Sequence, residues 1–270
     1  MTSPSRRGDV LALLCDREAV ARLSEALRIA HGGTFLRRVE RVAELRAALS
    51  AQRWDVVIVE ARDADLVPTD AVLREIREAQ PDSVAVGYAR RRDLSSAILD
   101  FARAGVHELV IEGVDDGGIA LRRALETAAK RATADRLVEQ VGALVPRSFL
   151  PVVRHCLTHI GDVASVADLA HAFGVSRQAL TERARRAGLP APREIVAWCR
   201  LLLAARLLAG GGETVDAVAI QLHFPSANGL RNALRRYAGL TVEDIRRQGV
   251  APVLTAFGDA VAAERATTVY

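Results

Sequence analysis

The 270-residue chain carries 37 Lys and Arg against 33 Asp and Glu, a formal net charge of +4, and half of its residues are hydrophobic. That length predicts two domains of ordinary size, each able to bury a core. No apolar run reaches the roughly 20 residues a membrane span requires, residues 10–14 are too short a run for a signal-peptide core, and Cys15, Cys156 and Cys199 are too scattered for a disulfide framework or zinc ribbon, so a cytoplasmic location without a membrane partner is expected.

In chain order, the first half alternates β-rich runs at 10–14, 35–39, 56–59, 83–87 and 108–111 with helical periodicity at 17–28, 42–52, 70–79, 95–104 and 118–130. Five strands alternating with five helices predict a doubly wound parallel sheet covered on both faces. Over about residues 1–130, the strand lengths and spacing resemble the receiver fold of response regulators, a flavodoxin-like architecture. The resemblance stops at the chemistry. That family holds magnesium on an acidic pair after the first strand and phosphorylates an aspartate ending the third, with a Ser/Thr ending the fourth and a lysine ending the fifth. Here the acidic pair reads Cys15-Asp16, Glu60 ends the run Asp55-Val56-Val57-Ile58-Val59-Glu60, Tyr88 stands at the hydroxyl position and Glu112-Gly113 replace Lys-Pro.

Asp16, Glu60, Tyr88 and Glu112 therefore mark a degenerate phosphoacceptor site. A glutamate sits one methylene further out than an aspartate, one acid fewer weakens a hard-oxygen magnesium site, and Glu112 puts an anion where a cation would stabilise phosphoryl charge. Two readings of Glu60 stay open: a mimic of a phosphorylated aspartate, or a tolerated polar residue at a strand end. The pocket above the strand ends is the default place for any ligand.

Residues 118–144 read as one long helix with Leu121, Leu125, Ala128, Leu137, Val141 and Leu144 apolar. It extends the sheet domain into a helical linker, 131–149, and either pairs with a symmetry mate or packs on its own domain. Pro146 and Pro151 mark the boundary.

Two helix-turn-helix patterns follow. In the first, Val166, Leu169, Ala170 and Phe173 make an apolar face, Gly174 turns the chain and Ser176 caps a second helix to about Ala187; in the second, Val215, Val218, Ala219 and Leu222 repeat the face, His223-Phe224-Pro225 turn and Ser226 caps. Asp168 through Ser176, Arg200-Leu201 with Ala204 and Leu207-Leu208, His223-Phe224 through Gly239-Leu240-Thr241, and Ile245-Arg246 together resemble the DNA-binding module of the AraC/XylS family of bacterial transcription regulators. The resemblance covers under half of the chain, and the domain it implies spans 150–249. It implies that the second helix of each motif enters the major groove, with Gln178, Thr181 and Glu182, then Asn228, Arg231 and Asn232, facing bases. Arg185 and Arg235 would meet phosphates, and Arg177, Arg186, Arg236 and Arg246 would add backbone contacts. Gln and Asn suit adenine, Arg suits guanine and Glu can accept from cytosine.

This sequence departs from the family at Ala184, where a large aromatic is usual, at His223 in place of a turn glycine, at Val242 in place of proline, and at Asn228-Gly229, where a mid-helix glycine would soften the second reading helix. Leu201-Leu202-Leu203 make the connecting helix apolar all round, which predicts that Leu202 or Leu203 meets the sheet domain or a second subunit. Residues 147–249 hold 14 arginines against 8 acids, the basic excess a phosphate-binding surface needs. Residues 250–270 form a tail with no functional signal.

Other constellations are weak. His155 and His159 have a metal-compatible i, i+4 spacing but no third ligand nearby, so neither a metal site nor a cofactor is expected, and His31-Gly32-Gly33 reads as a helix-ending turn rather than a phosphate cradle. With no catalytic motif, an enzyme is not expected. The expectation is a DNA-binding transcription regulator, with double-stranded DNA as partner, a homodimer, and RNA polymerase or another regulator as further contacts. The competing reading is a protein-interaction module or co-regulator whose helix-turn-helix pair has lost specific DNA binding.

Overall fold

The computed structural model describes residues 9–31, 36–160, 165–210 and 212–268. Phe35, Gly32 and Gly33, and with them the expected start of the second strand and the glycine turn, lie outside the described residues. The chain divides into two compact units, Met1–Ala132 and Thr133–Tyr270.

The first unit is a five-stranded parallel sheet. Its strands, β1 (Val10–Leu13), β2 (Leu36–Val39), β3 (Val56–Glu60), β4 (Val84–Ala89) and β5 (Glu108–Ile111), lie in the order β2-β1-β3-β4-β5. They alternate with α1 (Arg17–His31), α2 (Val42–Ala51), α3 (Asp70–Ala79), α4 (Leu94–Ala104) and α5 (Gly118–Val141). That order is the flavodoxin-like one, in which the chain reverses direction across the sheet between β1 and β3. Successive strand residues point to opposite faces, so the near-continuous apolar runs serve two cores. Leu11, Leu13, Val57 and Val59 pack with Leu45 of α2, Ile76 of α3 and Phe101 of α4. On the other face, Ala12, Ile58, Val86 and Tyr88 pack with Leu23 and Leu27 of α1 and Leu121 and Leu125 of α5. Gly87 lets α4 lie close to the sheet, since a Cβ there would meet the Phe101 ring at 2.8 Å.

The division between the units falls within α5. Leu121, Leu125, Ala128 and Ala132 belong to the sheet core, while Ala134, Leu137, Val138 and Val141 belong to the second core. These contacts fit the reading in which the helix packs within its own chain. Most of its apolar positions are buried in these two cores, while Ile119 near its start is exposed.

The second unit is all helical after α5: α6 (Leu150–Thr158), α7 (Val166–Ala172), α8 (Arg177–Arg186), α9 (Pro192–Ala209), α10 (Val215–Gln221), α11 (Ala227–Ala238), α12 (Val242–Gln248) and α13 (Ala251–Thr268). Each of α6–α8 and α10–α13 packs against α9. Leu201, Leu202 and Leu203 are all buried in this unit's own core. The expected contact of Leu202 or Leu203 with the sheet domain or a second subunit is therefore corrected, because helices of the same unit already surround α9.

The residues read as a linker and a tail supply part of that cover. Val145 and Phe149 are buried, and α13 inserts Val253, Phe257 and Val261, with the Phe257 ring 5.6 Å from that of Trp198. Phe257→Ala should therefore cost about 3–5 kcal/mol, the usual range for emptying a buried aromatic site. Denaturant unfolding monitored by helical circular dichroism checks it; a change below about 1 kcal/mol would show that α13 does not complete this core.

Candidate nucleic-acid interface and sheet-edge site

Local chemistry builds the two helix pairs in parallel. The Ser165 hydroxyl accepts from the Asp168 amide at 3.3 Å while the Asp168 carboxylate accepts from the Ser165 amide at 2.8 Å, a reciprocal cap that starts α7. Thr214 starts α10 by accepting from the Ala217 amide at 3.1 Å. The turns then repeat one pattern. Gly174 at φ 60° and His223 at φ 57° occupy the left-handed region, and the next amides, of Val175 and Phe224, donate to Ala170 and Ala219 at 3.0 and 2.8 Å. Histidine is among the residues more tolerant of this conformation, so the turn survives the loss of glycine. Ser176 and Ser226 then accept from the Ala179 and Gly229 amides, both at 3.0 Å, opening α8 and α11.

That last bond corrects the reading of Gly229. It lies in the first turn of α11, where its amide is held by the cap, and a Cβ there would approach the Pro225 ring at 3.3 Å. The glycine admits Pro225 and does not interrupt the middle of the helix. Ala184 is likewise buried without an aromatic anchor. The end of α8 is seated instead by Arg265 of α13, which crosses Gly188 so closely that a Cβ would meet its Cγ at 2.6 Å and donates to the Leu144 carbonyl at 2.9 Å.

With Leu180 and Ala184 buried, α8 turns Gln178, Thr181, Glu182 and Arg185 to its outer face; with Leu230 and Leu234 buried, α11 does the same with Asn228, Arg231, Asn232 and Arg235. Arg177, Arg186, Arg236 and Arg246 are exposed. Several of these side chains already have partners. Thr181 donates to the Arg177 carbonyl at 2.9 Å, Arg231 donates to Asn228 Oδ1 at 3.0 Å, and Arg236 lies over the Tyr237 ring. Glu182 accepts from both Arg185 and Arg186.

At the sheet edge, Glu60 and Tyr88 are register partners on adjacent strands. Glu60 is buried, and both of its oxygens are taken by Arg90 just beyond β4, at 2.8–3.1 Å. The Tyr88 hydroxyl turns elsewhere and donates to Asp116 at 2.9 Å. Arg22 of α1 closes this network, donating to Asp116 at 2.9 Å and to Glu112 at 3.1 Å. Burial alone would raise the Asp116 carboxyl, but Arg22, Tyr88 and the Gly113 amide outweigh it and hold the group below the usual carboxylate value. Asp16 accepts from the Glu18 amide at the start of α1. Asp63, also buried, ties the β3–α3 connection by accepting from the Val42, Asp65 and Val67 amides.

A cleft of about 430 Å³ opens here, lined among others by Cys15, Glu60, Asp63, Tyr88, Arg90 and Ser96. Burial, then the Glu60 carboxylate, push the Cys15 thiol up to about 11, so it is no ready thiolate. Sequence reasoning found Asp16, Glu60, Tyr88 and Glu112 but missed Arg22, Arg90, Asp63 and Asp116. The run Arg90-Arg91-Arg92 after β4 and the pair Asp115-Asp116 after β5 were the available signals. His155 and His159 stack with ring centroids 4.5 Å apart, and among the described residues no group of three or more potential ligands converges. No helix among them is long and apolar enough to cross a membrane.

Residues 169–248 match a protein family described as a helix-turn-helix domain. The C-terminal unit contains a helix-turn-helix domain. No curated protein matches the chain. Among solved structures the chain is similar to full-length FixJ from B. japonicum, at 17% identity over 71% of this chain and 95% of that one with a TM-score of 0.38. It is similar also to NtrX from Brucella abortus, at 14% identity over 71% of this chain and 39% of that one with a TM-score of 0.42. The Salmonella typhimurium RcsB response regulator is a further similar structure, at 11% identity over 70% of this chain and 96% of that one with a TM-score of 0.36. At such scores the receiver-like description rests on the sheet order of the chain itself. Helix-turn-helix pairs are a common way for proteins to place a helix in the major groove of DNA.

Two predictions follow from the charges buried beside the sheet. Arg90→Ala strands the Glu60 carboxylate and should destabilise the sheet unit by roughly 3 kcal/mol, whereas replacing both residues by methionine should cost much less; a double-mutant cycle in urea measures the difference. Asp116 has a depressed value in the folded state, so its stabilisation is complete above the unfolded value of about 3.9 and is lost as pH falls through the folded one. Asp116→Asn should therefore flatten the acid limb of the stability curve below about pH 5, and an unchanged limb would remove Asp116 as its source.

Proposed function

We propose that the protein is a sequence-specific DNA-binding transcription regulator of the AraC/XylS type. The observation that carries this reading is the pair of equivalent polar faces on α8 and α11, each capped by a serine after a left-handed turn and both anchored to one buried helix. Gln178, Thr181, Asn228, Arg231 and Asn232 are the base-facing residues in this reading, and Glu182 shares the outer face of α8 with Arg185. Arg177, Arg185, Arg186, Arg235, Arg236 and Arg246 position the domain on phosphates. Two heads in one chain contact two stretches of groove, and a homodimer would double them. Polymerase or another regulator is the further partner such a protein would contact.

Control by the receiver-like domain is proposed to be independent of phosphate. Three features support this. Glu60 is saturated by Arg90, the Tyr88 hydroxyl points to Asp116, and Glu112 draws a guanidinium from α1 in place of supplying a cation. Glu60 then acts as one half of a structural ion pair and does not imitate a phosphoaspartate, since its oxygens meet Arg90 and not Tyr88. A ligand in the sheet-edge cleft, a partner or self-association would take the place of phosphorylation.

Selection from a random duplex pool should enrich one bipartite motif, and footprinting should protect it at physiological salt. Binding that is weak and indifferent to sequence, with capture of a polymerase subunit, would favour the co-regulator reading. With acetyl phosphate and magnesium, mass spectrometry should find no added phosphate; uptake on Glu60 or a neighbouring aspartate would overturn phosphate independence.

A further inference from the structure

The two reading helices differ in charge at matching positions. Counted from the capping residues Ser176 and Ser226, Glu182 falls where Asn232 falls, and Arg185 and Arg186 fall where Arg235 and Arg236 fall. Helix α11 contains no acidic residue, so no anion of its own competes for Arg231, Arg235 or Arg236. Helix α8 contains one, and it is engaged twice. Arg185 donates to Glu182 from Nε and Nη2, both at 2.9 Å, and Arg186 donates from Nε at 2.8 Å.

The consequences follow from guanidinium geometry. The fork with which Arg185 would clasp a phosphate is the fork that Glu182 occupies. Glu182 in turn has three of its roughly four acceptor sites filled, so accepting from a cytosine amino group requires it to release an arginine. The two arginines hold its carboxyl down at about 2, and the group stays anionic at any pH where the protein would meet DNA. Resting on the DNA-binding reading above, we propose that Glu182 is a positioning residue that clamps Arg185 and Arg186 and restrains backbone binding by the first head, and that it does not read a base. The second head, with Asn232 at the matching place, has no such clamp within its own helix. Because the pairs are exposed, with Glu182 37% accessible against 63% and 73% for its partners, the clamp is weak enough to tune affinity and too weak to abolish it.

The test uses the full-length protein and Glu182→Gln, which keeps the side-chain size and removes the charge; far-UV circular dichroism checks that α8 is retained. Each protein is passed through a random duplex pool, and affinity is measured against salt on the motif and on an unrelated duplex. The expected result is an unchanged motif, an affinity for both duplexes raised roughly three- to tenfold, and a salt dependence steeper by about one to two released counterions. Relaxed preference at a single base pair without a general gain would make Glu182 a base reader and overturn the inference, as would affinity and salt slope that both stay unchanged. A wild-type protein that enriches no motif overturns the DNA-binding reading itself, and the inference with it; a wild type that enriches a motif while Glu182→Gln fails as described overturns the inference alone.

Discussion

The burial of α9 is the constraint on which the helical unit depends. From Leu201 to Ala205 it is buried on every side, and a stretch apolar all round has no face to offer water, so it is stable only when surrounded. Helices α6–α8 and α10–α13 do this. The arrangement has a mechanical result. The two helix-turn-helix pairs precede and follow a rod of 18 residues, about 27 Å long at the rise of an α-helix. A rod packed on all sides cannot lengthen or slide without opening the core, so the separation of the reading helices is set by packing. DNA bound by both heads would have to meet that separation, bending where its own groove repeat of about 34 Å does not.

The sheet unit spends its buried charge differently from a phosphotransfer site. Such a site needs carboxylates left open for a metal and a cation left open for the phosphoryl group. Here each buried carboxylate is already satisfied: Glu60 by Arg90, Asp116 by Arg22, Tyr88 and the Gly113 amide, Asp63 by three backbone amides. Satisfied buried charges hold an architecture in place, and breaking one member of a pair is costly. These satisfied pairs stiffen the edge of the cleft.

Period and punctuation made much of this legible in the sequence. The apolar runs of β1, β3 and β4 announce a sheet buried on both faces, and the repeated cap, face and turn announce the paired helices. What stayed hidden depends on partners distant along the chain. Arg22 meets Asp116 and Arg90 meets Glu60 only because the sheet order brings the strand ends together. Val253, Phe257 and Val261 repeat at helical spacing, but among many alanines that stripe says little until α9 is seen to need covering. Gly229 misled for a local reason: three residues after the Ser226 cap it still lies in the first turn, and its closeness to the Pro225 ring appears only once the turn is folded.

Formal charge is the last quantity the structure revises. The sequence holds a single lysine, Lys130, so arginine supplies nearly every cation, and arginine pairs through a planar fork that one carboxylate can fill. Residues 147–249 show 14 arginines against 8 acids, and the two reading helices carry the same net charge, four arginines against Glu182 on α8 and three arginines on α11, so they differ in which arginine forks are already occupied. Arg185 and Arg186 are committed to Glu182, and Arg247 donates to Asp244, which itself caps α12. On α11 the arginines share only amide and aromatic neighbours along their own helix, at Asn228 and Tyr237. On α8, Arg177 and Arg183 are exposed outside the Glu182 pairs. In the DNA-binding reading, Arg185 and Arg186 would add contacts as their pairs with Glu182 exchange for phosphate, a step that the arginines of α11 would not need within their own helix.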